Sequence, residues 1–310
     1  MKRFFKILLP IVILTGAGLA IYYFSNRTAE IIVPDPTDEQ PIDTAAPESK
    51  IGIDTEDIDL DLGVASVGKG GYRLEFIGTK MGSTVGRANI GFSNNGKEYE
   101  VKASARLAGI LRQLNGDKMH LRATGKLTGE KMSVNYFYNA SVADDKKATK
   151  KEKIHSLDGA WKYSKYGKER KVDAKVFDSA IDPLTLLFHI GRTIDKTGKC
   201  NLSHNGFMDD TGFTVTVTDK GPAAESGIKV AKKKIKEIRC DLAFKNRAGK
   251  VIKDYPFEHE FAKKSAKKRV NVISVYYSKL NGENFVPVFI KVRETPVGEV
   301  KIKLTGVKFD

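Results

Sequence analysis

The segment EYEVKASARL, residues 98–107, alternates polar and apolar side chains without a break. Tyr99, Val101, Ala103, Ala105 and Leu107 fall on one face; Glu98, Glu100, Lys102, Ser104 and Arg106 fall on the other. A period of two suits a strand with one dry face and one wet face. The same alternation recurs in YRLEF (Tyr72, Leu74, Phe76), FTVTVT (Phe213, Val215, Val217), EIRCDLAF (Ile238, Cys240, Leu242, Phe244) and EVKIKL (Val300, Ile302, Leu304). Turn residues separate these runs: Gly78 and Gly82, Asn94-Asn95-Gly96, Asn115-Gly116, Gly129 and Asn281-Gly282. Roughly ten to twelve such strands predict a mainly β fold, a curled antiparallel sheet or open β-barrel.

DPLTLLFHIG, residues 182–191, breaks that pattern. Asp182 suits a helix N-cap, Pro183 the first helical position and Gly191 the stop, so one short helix is expected here. Leu184, Leu187 and Phe188 form an i, i+3, i+4 stripe, which Leu186 and Ile190 widen. A helix apolar over most of its circumference is a buried one. Two roles fit it: a plug in the hollow of the sheet, or a lid over an apolar cavity. His189, on the same helix, reads as a satisfied buried imidazole.

The N-terminus carries Lys2, Arg3 and Lys6, followed by the uncharged run Ile7–Phe24. As a helix that run is long enough to cross one hydrocarbon core, and the charge before it places the N-terminus in the cytoplasm. A cleaved signal peptide ending near Gly18-Leu19-Ala20 is the competing reading, although the apolar run continues through Phe24. Residues 1–25 are thus a membrane anchor or a signal peptide, and either one exports the rest. Residues 26–68 hold Pro34, Pro36, Pro41 and Pro47 and ten acidic side chains between Asp35 and Asp61, the composition of an extended linker. Residues 69–310 form the β-rich extracytoplasmic domain. The expected location is the periplasm or an equivalent space, tethered to the inner membrane.

Charge is uneven along the chain. From Leu62 onward there are 48 Lys and Arg against 27 Asp and Glu, so the exported part is more basic than the whole, whose net charge is +15. Outside the cytoplasm the polyanions at hand are phospholipid head groups, glycolipids and acidic wall polymers rather than nucleic acid. The basic runs are Lys146, Lys147, Lys150, Lys151 and Lys153; Lys232, Lys233, Lys234 and Lys236; and Lys263, Lys264, Lys267, Lys268 and Arg269. All sit between strand-like segments, where loops would carry them as contacts for an anionic surface or as plain solvated charge. Trp161, Tyr163 and Tyr166 stand near the first run, as interfacial anchors or as core.

Cys200 and Cys240 are the only cysteines in the chain. An even count in an oxidising compartment predicts a disulfide; free buried thiols are the alternative. There is no Cys-x-x-Cys. The histidines His120, His155, His189, His204 and His259 have no His-x-x-x-His spacing, and FEHEF turns its glutamates away from His259 on a strand. No nucleophile elbow, Walker loop or dinucleotide fingerprint occurs. These residues predict neither metal nor cofactor, and no enzyme.

Several pieces together resemble the bacterial envelope proteins grouped as domain-of-unknown-function family 3108, over about Gly71 to Phe309. They are YRLEFIGTKMGSTVGRANIGF, ASARLAGILRQL, DPLTLLFHI, Cys200 ahead of FTVTV, RCDLAFKNRAG and FVPVFIKVRETPVGEVKIKLTGVKF. The resemblance implies an exported β-rich domain and brings no catalytic residue with it. The lysine-rich stretch at 144–153 and the anchored acidic linker depart from it. The expected function is a non-catalytic binding module for an apolar or anionic envelope component, lipid or glycolipid. The alternative is a structural or assembly factor of the envelope that acts through protein contacts.

Overall fold

The computed structural model describes residues 71–108, 118–129, 131–142, 148–157, 160–208, 210–230, 233–249, 273–280, 284–295 and 298–309. The expected anchor and linker, Lys146, Lys147, Lys232, Lys263, Lys264, Lys267, Lys268, Arg269, His259 and the turns at 115–116 and 281–282 lie outside them.

Alternation becomes pairing in a long antiparallel meander. Its first five strands are β1 (Tyr72–Lys80), β2 (Ser83–Asn94), β3 (Glu98–Leu107), β4 (Lys118–Thr128) and β5 (Lys131–Val142). Next come β6 (Ala148–Leu157), β7 (Ala160–Lys165), β8 (Lys168–Arg170) and the short β9 (Ala180–Ile181). Helix α1 (Pro183–Thr197) then leads into β10 (Leu202–Met208) and β11 (Thr211–Ala223). After a ribbon of β12 (Lys229–Val230) and β13 (Lys233–Lys234) come β14 (Glu237–Gly249), β15 (Ile273–Leu280), β16 (Asn284–Thr295) and β17 (Gly298–Phe309). All but the ribbon form one sheet, in the order β8-β7-β6-β5-β4-β3-β2-β1-β17-β16-β15-β14-β11-β10-β9.

The strands among the described residues outnumber those suggested by alternation. Strands of two or three residues show no period to read, and Lys-rich β6 reads as a loop. Lys150, Lys151 and Lys153 therefore lie within a strand, opposite Ser141, Ala140 and Tyr138 of β5. Lys233 and Lys234 form β13. Backbone pairing does not need an apolar side chain, so the loop assignment of these lysines is corrected. Gly78 is likewise no turn. It pairs with Gly86 inside the first hairpin, which reverses at Met81 and Gly82, the latter with φ +81°.

The sheet curls. Register shifts at Glu75/Phe76, Gly78/Thr79, Thr124/Gly125 and Tyr276/Tyr277 are bulges, and each adds local twist. The far edge, β9 and β10, comes round to lie beside β5. Phe137 of β5 meets Phe207 of β10 edge-on, ring centroids 5.5 Å apart. These two strands are not paired to each other, so the ring is an open curl with a side-chain seam. Strands β6–β8 run on past the seam.

Helix α1 fills the hollow. Asp182 caps it, accepting hydrogen bonds from the backbone N–H groups of Leu184 (2.9 Å) and Thr185 (3.1 Å). Leu184, Leu186, Leu187, Phe188, Ile190 and Ile194 are buried. The Phe188 ring stacks on Phe92 at 4.7 Å and touches Tyr72 at 5.6 Å. Tyr277 donates its hydroxyl to the Leu187 carbonyl (2.9 Å), and the Phe285 N–H donates to Asp195 (3.0 Å), which ties the helix to β15 and β16.

The helix does not stop at Gly191. It runs about two turns further, to Gly198, whose φ of +71° is the left-handed cap. Gly191 serves a different need: a Cβ there would lie 2.3 Å from the Phe285 carbonyl oxygen. Its missing side chain lets the helix approach β16. Cys200 and Cys240 stand at disulfide distance, with Cα atoms 6.1 Å apart, and fasten the chain just past α1 to β14. They are not on adjacent strands, since β11 separates β10 from β14. Among the described residues no helix is long and apolar enough to cross a membrane.

Candidate functional site

Where the seam and the C-terminal half of α1 face each other, the packing leaves a cleft of about 980 Å3. Sites for small molecules run to roughly 300–1,000 Å3, so this is room enough for one. One wall is apolar: Met132 and Val134 of β5, Trp161 of β7, and Phe177 and Ile181 on the run into α1. Trp161, the single tryptophan, is half-buried against Phe177 (5.4 Å) and near Phe207 (6.4 Å). A side chain read as an interfacial anchor or as core thus becomes a lining aromatic.

The rest of the lining is polar and basic. His189, Arg192, Thr193, Asp195 and Lys196 of α1 contribute, with His204 of β10 and Lys131 of β5. Helical spacing explains His189, Arg192, Thr193 and Lys196, because residues three and four apart share a face. Arg192 donates from Nη2 to the Gly129 carbonyl (3.0 Å), which holds its guanidinium across the β4–β5 turn. Its Nε is buried without a hydrogen-bond partner.

His189 Nδ1 is also buried without a partner, so the expected satisfied imidazole is corrected. His204 meets the ring edge-to-face, centroids 5.3 Å apart. The His204 Nδ1 is 2.8 Å from the Asn205 carbonyl, and since a carbonyl only accepts, that nitrogen carries the hydrogen. Burial, and then His204 and Arg192, push the His189 pKa down to about 4.

Asp195 is the only carboxylate among the described lining residues. It is already engaged, accepting from the Phe285 N–H and standing 3.4 Å from Lys279 Nζ. The cleft's remaining charge is positive. Buried donors left unmatched cost about 1–3 kcal/mol each, so a lining of this kind favours a guest that brings acceptor oxygens.

A second buried polar group lies at the other end of α1. Asp182 is fully buried and takes the Thr185 hydroxyl as well as two N–H groups; burial raises its pKa against those hydrogen bonds. Thr185 is in turn 3.1 Å from the Tyr99 hydroxyl. Every member has a partner, so this chain anchors the helix and leaves nothing over for a ligand. Among the described residues no group of three or more His, Cys, Asp or Glu is placed to hold a metal.

The residues singled out in the sequence divide clearly. Leu184, Leu187, Phe188 and Ile190 lie in the packed core, away from the cleft. The side chains of Lys150, Lys151, Lys233 and Lys234 are outside the described set. Arg192 and Phe177 escaped notice, and His204 was set aside for lack of ligand spacing; the usable signal was a histidine within the apolar stretch 182–191.

No family model matches the chain, and no curated protein does. Among solved structures it is similar to a beta-barrel-like protein of domain of unknown function DUF1849 from Brucella abortus. The identity is 13% and the TM-score 0.45, over 79% of this chain and 100% of that one.

Proposed function

We propose that the protein is a membrane-tethered, extracytoplasmic binding module, non-catalytic, that holds a lipid or glycolipid of the envelope. The observation that carries this reading is the cleft, which combines aromatic and apolar side chains with basic ones in a space of ligand size. The hollow of the sheet is not the seat, because α1 occupies it. The ligand enters from the side, at the seam.

The alternative, an assembly factor acting through protein contacts, has the packed interior in its favour. One preparation separates the two. The full chain is purified from its own membranes without denaturation, and bound small molecules are extracted and weighed by mass spectrometry. A lipid present at a constant ratio to protein, and displaced with a change in Trp161 emission, is the expected result. Lipid-free protein whose emission no amphiphile alters would overturn the binding reading.

A further inference from the structure

We propose that the cleft takes a single-chain anionic amphiphile, its carboxylate or phosphate head on Arg192 and His189 and its tail along Trp161, Phe177 and Ile181. This rests on the binding-module reading and narrows its ligand.

Arg192 Nε and His189 Nδ1 are the two unmatched buried nitrogens of the lining, and they sit one turn apart on one helix face. Arg192 spends one arm on the Gly129 carbonyl, so its guanidinium plane is fixed before any ligand arrives. A planar, pre-set fork suits a two-oxygen head group better than a hydroxyl or an ester. Asp195, the one carboxylate among the described lining residues, accepts from the Phe285 N–H at Oδ2 and keeps Oδ1, which has no hydrogen bond, 3.4 Å from Lys279 Nζ, whose charge offsets its repulsion of an anion. Lys131, exposed at the edge of the same cleft, adds long-range attraction. A ligand with two chains would need a second apolar trough, and apart from Met132, Val134, Trp161, Phe177, Ala180 and Ile181 the lining is polar or charged.

The test follows Trp161 fluorescence of the full chain, titrated below micellar concentrations with dodecanoate, dodecyl phosphate and the neutral monododecanoylglycerol. Both anions are expected to bind at least about ten-fold tighter than the neutral compound, the scale of one charge-assisted contact. Carboxylate ahead of phosphate would point to free fatty acids as the source, and the reverse order to phosphorylated lipids. Arg192→Met should erase the preference for anions; Arg192→Lys should restore it only in part. Because Arg192 also braces the β4–β5 turn, melting is checked. Should the Met variant fail to fold, Lys131→Ala decides, with an expected loss of about two-fold or more for the anions alone. Equal affinity for all three amphiphiles, unmoved by these variants, would overturn the anionic head while the binding reading stands. Binding of none would remove both.

Discussion

His189 is a titratable ring on a helix made for burial, and its position has a consequence for stability. Its pKa in the fold is pushed down to about 4 by burial, then by His204 and Arg192, against an ordinary value of 6.5. The other charged groups of the cleft are Lys131 on β5, and Lys196 and the engaged Asp195 on α1. The folded chain therefore keeps this ring neutral where the unfolded chain protonates it. As pH falls from about 6.5 towards 4, the unfolded state binds the extra proton and stability is lost; above that window the ring contributes no slope. The loss is at most about 1.4 kcal/mol per pH unit, and less to the extent that the ring meets solvent. His120 is lowered in the same sense, by burial first and Lys118 second, so the parent's slope alone decides nothing. The informative quantity is the difference between parent and His189→Gln in ligand-free protein. The variant should lose less melting temperature between pH 7 and pH 5. Parallel melting curves across that range would mean that His189 is not held neutral.

At the scale of the element, α1 behaves as a plug. Phe188 is buried, stacks on Phe92 and touches Tyr72, so it packs on β1 and β2. Truncation of a ring in such a site leaves a void that the sheet cannot close, at a cost of about 3–5 kcal/mol. Phe188→Ala should lower the melting temperature sharply and leave amphiphile affinity at Trp161 close to that of the parent. The opposite pattern would make α1 a lid. This element also shows what could be read from the chain alone. The start of α1 was legible, because Asp182 and Pro183 carry a local signal that survives in the structure. Its end was not: Gly191 mimics a cap, but its reason is the Phe285 carbonyl almost a hundred residues later, and only tertiary contact reveals that. Strands such as Glu98–Leu107 were legible to the residue for the same reason as the helix start, since alternation is local. Lys-rich β6 was hidden because its sequence, ATKKEKIHSL, shows no alternation of apolar and polar residues, although Ile154 is buried. The cleft was less legible still. His189 and His204 are separated by a turn, a disulfide cysteine and the start of β10, and nothing in their spacing announces a shared wall.

For the whole molecule, the open question of geometry is how a sheet that never closes its hydrogen-bond ladder keeps its curl. The seam between β5 and β10 is bridged by side chains, with Phe207 at the centre of the cluster. It meets Phe137 edge-on at 5.5 Å and Phe177 at 5.3 Å, with Trp161 at 6.4 Å, and it is fully buried. Edge-to-face rings add roughly 0.5–1.5 kcal/mol per pair beyond their buried area, so this cluster substitutes for missing backbone pairing. The same rings adjoin Trp161 and Phe177 of the cleft lining, so the proposed ligand seat and the seam share side chains. Phe207→Ala should therefore do two things together. It should cost about 3–5 kcal/mol in global stability, and it should shift Trp161 emission to longer wavelength as water reaches the seam. Phe207→Leu, which keeps most of the volume, should recover most of the stability at a residual cost of about 1.5 kcal/mol or less. A thermal melt and an emission spectrum of each variant suffice. If Phe207→Ala melts with the parent and its tryptophan stays as dry, the curl is held by the strands alone and the seam is incidental to it.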